Sequence, residues 1–153
     1  MIISNLLVHS LKISQASLFA QGSASLFLAD KATEWLNYEH EEFKRLNHLL
    51  VNNGESIPTT SKQFQEYTML EEDGSSKYLA GEQQLFNLVK DFDTQILFIT
   101  KAITLANDEN WPELAANLID LLAWIKEQIR VSQSFLGHDL KEGLYTEEDD
   151  DDF

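Results

Sequence analysis

Apolar residues recur at every third or fourth position along four long stretches of the chain, which is the period of an amphipathic α-helix. These stretches cover about residues 3 to 20, 26 to 52, 77 to 107 and 112 to 135. Glycine and proline are scarce within them and lie mainly between them, as expected for residues that interrupt helices. The pattern predicts an all-α protein with four long helices in one bundle.

The boundaries of these stretches carry the usual signals for starting and ending a helix. Asn53 and Gly54 follow the second stretch, and Gly137 follows the fourth. Both residue types tolerate the left-handed backbone that closes a helix. Pro112 stands where the fourth helix begins, in the first turn, where its missing N–H is not needed. The helix ends are therefore predicted at these positions.

The connection between the second and third helices, about residues 55 to 76, is too long for a plain loop in a compact domain. Within it, Thr60 and Gln63 have the spacing of a capping box, which predicts a short helix in the crossover. Ser75 or Ser76 is expected to cap the third long helix. Two helices, a long crossover and two more helices form the layout of ferritin-like four-helix bundles.

Composition and charge limit the possible functions. The chain has 153 residues, no cysteine and a net charge of −15. The absence of cysteine excludes disulfides, thiolate metal sites and thiol nucleophiles. Residues 1–138 are predicted to form one domain, and residues 139–153, which include six consecutive acids from Glu147 to Asp152, an acidic and disordered tail.

The sequence predicts neither a membrane-spanning helix nor binding to nucleic acid. No apolar run approaches the ~20 residues that a membrane-spanning helix needs. The beginning of the chain lacks a positively charged leader, so a cytoplasmic location is expected. The basic residues are scattered, and only Lys44 and Arg45 are adjacent. Because tight binding to DNA requires clustered cations, no DNA binding is expected.

Three segments, taken in order, resemble a known family. The stretch from Lys12 to Gly22 is similar to a segment in which that family has two histidines, a Gln pair and a Trp before a glycine. The stretch from Asn53 to Phe64 resembles its link into the crossover helix, and Ser134 to Gly137 resembles its terminal Phe-Leu-Gly. From about Leu6 to Gly137 the chain thus resembles the Dps family, the miniature ferritins of starved bacterial cells.

This resemblance implies a dodecameric shell that binds or stores iron and protects the cell under stress. The family's iron-oxidising (ferroxidase) site lies between two subunits and uses two His from one chain with an Asp and a Glu from the other. The matching positions in this chain hold Ser17, Ala29, Lys44 and His48. Serine is a poor ligand for ferrous iron, alanine has no donor atom, and lysine brings a positive charge. The family's oxidation of iron by peroxide is therefore predicted to be lost, and an active enzyme is kept as the alternative interpretation.

Three other residues are weak candidates for metal ligands. Glu41 and His48 lie with Lys44 on one face of the second helix, and Asp30 lies on the same helix nearer its start. A ferroxidase with relocated ligands would use Glu41, His48 and Asp30. The alternative is that Glu41 forms an ion pair with Lys44 and that no metal binds there. Both interpretations remain open from the sequence.

The remaining polar features do not indicate a site. The run from Glu39 to Glu42 is expected to be a solvated helix face, because successive helical residues point about 100° apart. His9 and His138 have no partner pattern. A third hypothesis, beside the shell and the ferroxidase, is therefore a helical interaction protein with no role in iron chemistry.

Overall fold

In the computed structural model, residues 1–144 are described, and they contain five α-helices. The helices are α1 (Ile2–Phe19), α2 (Ser23–Asn52), α3 (Ser61–Tyr67), α4 (Gly81–Asp108) and α5 (Pro112–Leu136). Strands are absent from residues 1–144. The four long helices form one bundle, with α1 packed on α2 and α4 on α5, and α3 lies in the crossover. The prediction of an all-α ferritin-like bundle is confirmed.

The crossover helix α3 begins as its sequence predicts. The Thr60 hydroxyl accepts the Gln63 N–H at 3.3 Å, and the Gln63 side chain accepts the Thr60 N–H at 3.3 Å. This reciprocal pair is a capping box, and it satisfies two backbone donors that the first turn of a helix leaves free.

The predicted start of the third long helix is wrong. The Asp73 carboxylate accepts the Ser75 N–H at 2.9 Å and begins a short 3₁₀ helix, Gly74–Tyr78. An extended Leu79 separates it from α4, whose N-cap, Ala80, makes no capping hydrogen bond with its side chain. Ser75 and Ser76 therefore belong to the crossover. The Asp73 side chain accepts the Ser75 N–H, so this donor serves the 3₁₀ helix and not α4.

Polar side chains of α1 hold the crossover against the bundle. The side-chain carbonyl oxygen of Asn5 accepts hydrogen bonds from the Thr68 hydroxyl at 2.9 Å and from the Met69 N–H at 2.8 Å. The Lys12 ammonium donates to the Glu71 carbonyl at 2.6 Å. Because these bonds satisfy backbone groups of an irregular segment, they let the long link cross the bundle with few helical turns of its own.

The core lies between the four long helices. Aliphatic and aromatic side chains fill most of it, and polar side chains such as His9, Glu39 and Gln128 are buried with them. Its largest fully buried side chains include Trp35 and Phe92, whose rings meet edge to face with centroids 5.2 Å apart. The Trp35 indole N–H donates to the Gln128 side-chain oxygen of α5 at 2.9 Å. A polar bond inside the core therefore joins α2 to α5.

The end of α5 agrees with its sequence signal. Gly137 closes the helix in the left-handed conformation at φ 71°. Beyond it, the Gln133 amide donates to the Leu140 and Glu142 carbonyls at 3.3 and 3.1 Å. Residues 145–153, which include the acidic run, lie outside the described residues, so the tail and its boundary at residue 138 stay predictions.

No helix within residues 1–144 is both long enough and apolar enough to cross a membrane.

Candidate functional site

The four positions that the resemblance assigned to the family's metal ligands lie on α1 and α2. The Ser17 hydroxyl donates to the Ser14 carbonyl of its own helix at 2.9 Å. Ala29 is exposed and has no donor atom, and His48 is exposed. Lys44 extends into solvent and contacts Glu41 at 3.5 Å.

The ion pair between Glu41 and Lys44, which the three-residue spacing predicts, is present in the structure. Both side chains are more than half exposed, at 62% and 53%. An exposed pair of this kind stabilises a helix by only about 0.2–0.5 kcal/mol. Lys44 thus contacts the Glu41 carboxylate that a relocated metal site would need. The ion pair is weak enough for a metal ion to displace Lys44.

The candidate ligands Asp30, Glu41 and His48 all lie on α2, and all three are exposed. At a rise of about 1.5 Å per residue, Asp30 and Glu41 are separated by roughly 16 Å along the helix, and Glu41 and His48 by roughly 10 Å. One chain therefore does not bring the three onto one ion. Throughout residues 1–144, no group of three or more His, Asp or Glu side chains is placed to hold a metal.

The structure also contains a buried polar network that the sequence pattern missed. His9 of α1 is fully buried, and its Nδ1 lies 2.6 Å from an oxygen of Glu39, which is 1% exposed. The other ring nitrogen lies 3.2 Å from the Leu88 carbonyl of α4. The second oxygen of Glu39 accepts the Ser10 hydroxyl at 2.9 Å. The network therefore joins α1, α2 and α4 at the centre of the bundle.

The charge of this network follows from its partners. Burial alone lowers the pKa of an imidazole. Here the Glu39 carboxylate, with Asp91 and the Leu88 carbonyl, more than offsets burial and raises the pKa of His9 above its ordinary 6.5. The His9–Glu39 pair is thus a buried acid–base pair, of the kind whose separation into single partners is costly.

A second buried acid lies one turn further along α2. Glu42 is 1% exposed, and one of its oxygens accepts the Arg45 guanidinium at 3.0 Å. The Asn117 side chain of α5 lies beside this carboxyl and opposes the effect of burial on its pKa. Burial, which outweighs the effect of Arg45, raises the pKa of Glu42 from 4.5 to about 7.

The expectation that residues 39–42 form a solvated face is therefore wrong for Glu39 and Glu42, and His9 does have a partner. A periodicity signal was available. The buried side chains of α2 recur every three or four residues, and both acids fall on that stripe: Leu28, Ala32, Trp35, Glu39, Glu42 and Leu46. The consecutive charged residues obscured this periodicity. The partner that makes burial of Glu39 possible is His9, which lies 30 residues away in the sequence.

The bundle and its crossover helix define a ferritin-like fold. Comparison with solved structures identifies the family within that fold. The Lactococcus lactis MG1363 DpsB protein is 31% identical, with a TM-score of 0.84, over 90% of this chain and 80% of DpsB. Lactococcus lactis MG1363 DpsA is 28% identical with a TM-score of 0.84, over 91% and 82% of the two chains. Dps from Listeria monocytogenes is 25% identical with a TM-score of 0.86, over 90% of each.

The chain therefore belongs to the Dps family, as the resemblance of its motifs indicated. No family model matches the chain, and no curated protein matches it significantly.

Proposed function

We propose that the chain forms a closed, dodecameric Dps-type shell that holds iron or serves stress protection without the family's centre for oxidising ferrous iron. Family membership supports the shell and its general role. The side chains at the four matched positions support the loss of oxidation chemistry. The single observation that carries this second part is the pairing of the Lys44 ammonium with Glu41, at a position that the resemblance assigns to a metal-binding carboxylate.

Electrostatics explains why Lys44 matters more than the other three changes. An ammonium a few ångströms from a divalent cation repels it, and the repulsion grows as water is removed from around the charges. A lysine could relieve this only by losing its proton, which requires deep burial. Lys44 is 53% exposed, and its ammonium lies 3.5 Å from the Glu41 carboxylate.

The remaining positions reinforce the same conclusion. No rearrangement of the Ala29 methyl group supplies an electron pair to a metal. The Ser17 hydroxyl is already bonded within its helix. His48 is a reasonable ligand by itself, but one imidazole from each chain makes a weak site.

The proposal is tested by adding ferrous iron and peroxide to purified protein and following the ultraviolet absorbance of ferric species. The unaltered protein should oxidise iron no faster than an equally acidic inert protein. The variant carrying Ser17→His, Ala29→His, Lys44→Asp and His48→Glu together should oxidise it measurably faster. The single change Lys44→Asp is the matched control, because it removes the positive charge without completing the ligand set, and it should remain near the background rate.

Two results would overturn parts of this proposal separately. Fast oxidation by the unaltered protein, abolished by His48→Ala or Glu41→Ala, would show a relocated ferroxidase with Glu41, His48 and Asp30 as its first candidates. Light scattering that shows only monomers or dimers at micromolar concentration would remove the shell and favour a helical interaction protein.

A further inference from the structure

A groove of about 400 Å³ lies where α4, α5 and the segment that follows α5 meet. Most of its lining is aliphatic and comes from Ile96, Leu97, Ile129, Leu140 and Leu144. Leu97 and Leu140 are 44% and 52% exposed, so part of this apolar surface faces water. A concave and mainly apolar surface of this size is typical of sites that bind small ligands.

Contacts of the segment after α5 fix one wall of the groove. The Gln133 amide of α5 donates to the Leu140 and Glu142 carbonyls at 3.3 and 3.1 Å. Gly143 packs so closely on the Phe86 ring of α4 that an added Cβ would lie 2.7 Å from a ring carbon. The wall therefore exists before any ligand arrives, and a preformed wall lowers the entropic cost of binding.

Two lysines, Lys126 of α5 and Lys141, line the same groove, and both are exposed. Within residues 1–144 neither ammonium forms an ion pair, although other lysines pair with acids: Lys12, Lys31 and Lys44. Asp93 is the acid of the lining, so two ammonium groups stand against one carboxylate. In a chain with a net charge of −15, a groove with this excess of positive charge favours an anionic ligand.

We propose that this groove binds a free, single-chain anionic amphiphile of the fatty-acid class. The hydrocarbon tail would lie against the aliphatic wall, where burial of apolar surface requires no directional partner. The carboxylate would lie beside Lys126 and Lys141 and accept charge-assisted hydrogen bonds from them. Both lysines are exposed, so the head group keeps part of its hydration. Binding here requires neither the shell nor iron.

Isothermal titration calorimetry on the intact protein tests this proposal, with decanoate as the probe at concentrations below micelle formation. Decanoate should bind saturably. Octanoate, which is two methylenes shorter, should bind about tenfold more weakly, because each buried methylene contributes about fourfold in affinity. Decanol carries the same tail without a charge and is the reference ligand for the head group.

The head-group contact is tested by changing Lys126→Gln and Lys141→Gln together. Decanoate should then bind about fivefold more weakly, as expected for the loss of two exposed ion pairs, and the affinity for decanol should stay the same. Lys101→Gln is the matched control, because Lys101 is an exposed lysine of α4 outside the groove. It should leave both affinities unchanged.

The tail contact is tested by changing Leu97→Ser and Leu140→Ser together, which should weaken decanoate and decanol alike by about tenfold. Both leucines are exposed, so the core keeps its packing, and light scattering should give an unchanged particle mass. Leu105→Ser is the matched control, since Leu105 is 62% exposed on α4 and lies outside the groove.

Four results would overturn the proposal. The unaltered protein would show no saturable binding of decanoate, or the two leucine changes would leave the affinity for decanoate unchanged. Lys101→Gln would weaken decanoate as much as the groove lysine changes do, which would indicate a general effect of charge. Finally, the protein would sediment with phosphatidylglycerol vesicles but bind no free decanoate, which would indicate a membrane-docking surface instead.

Discussion

Tyr38 and Trp124 stack face to face, with ring centroids 3.9 Å apart and ring planes within 7°, and so join α2 to α5 at the side of the core. Glu42 lies one helical turn after Tyr38 and faces the same contact between the two helices. The stacked rings help to exclude water from this contact, and exclusion of water is the main reason that the carboxyl resists ionisation. The stability of the α2–α5 contact is therefore tied to pH.

Replacing Glu42 by Gln should remove a fall in stability that occurs between about pH 4.5 and about pH 7. The pKa of Glu42 is raised from 4.5 to about 7, so the carboxyl is protonated in the folded chain and folding is favoured below 4.5. That contribution is lost as pH rises through about 7. The Glu42→Gln variant should match the unaltered protein at acidic pH and exceed its stability by about 1–2 kcal/mol at alkaline pH.

Thermal unfolding followed by circular dichroism at acidic, neutral and alkaline pH would measure this difference. Glu41→Gln serves as the control, since its exposed carboxyl should change stability little at any pH. If Glu42→Gln instead loses stability equally at all pH values, Glu42 is ionised and stabilising in the fold.

Replacing Gln128 by Leu should destabilise the core although it adds an apolar side chain. The Trp35 indole N–H would lose its acceptor at 2.9 Å and remain buried without a partner. Such an unsatisfied donor costs about 1–3 kcal/mol. Urea unfolding monitored by tryptophan fluorescence measures the loss. Adding Trp35→Phe to Gln128→Leu should recover part of it, and no recovery would indicate that packing rather than the hydrogen bond sets the cost.

Gly81 is required where the start of α4 meets the connection between α1 and α2. A Cβ atom at this position would lie 2.3 Å from the Gln21 carbonyl oxygen. Because that oxygen belongs to the backbone, Gly81→Ala should cost about 1–3 kcal/mol through displacement of the connection. Gly74→Ala is the control, since no atom lies within 4 Å of its added Cβ. Equal unfolding midpoints for the two variants would contradict this account.

Duplex DNA should not bind at physiological salt. The net charge of −15 opposes the phosphate backbone, and the basic residues are not clustered. A gel-shift titration tests this expectation. Neutralising the acids from Glu147 to Asp152 should leave the result unchanged, because it removes repulsion without creating a cationic surface. A clear shift by the unaltered protein would contradict the prediction.

Much of the architecture could be predicted from local patterns. The period of apolar residues placed the four long helices, the capping box of Thr60 and Gln63 placed α3, and Gly137 placed the end of α5. These signals act over one or two helical turns, so they are visible in a single stretch of sequence. The predicted start of α4 was wrong because this segment holds two kinds of capping residue. Ser75 or Ser76 was expected to cap α4, but Asp73 caps a 3₁₀ helix there instead.

The resemblance in the sequence also assigned Ser17, Ala29, Lys44 and His48 to the family's ligand positions, and that assignment stays a prediction. Only the tertiary structure revealed which acids are buried. Glu39 and Glu42 belong to a run of charged residues. Glu39 is buried against His9 of α1, and Glu42 is buried beside Asn117 of α5. Pairing of buried charges is decided by distances between helices that are far apart in the chain. No pattern within one helix contains that information, because the energy of burying an acid depends on the partner that meets it.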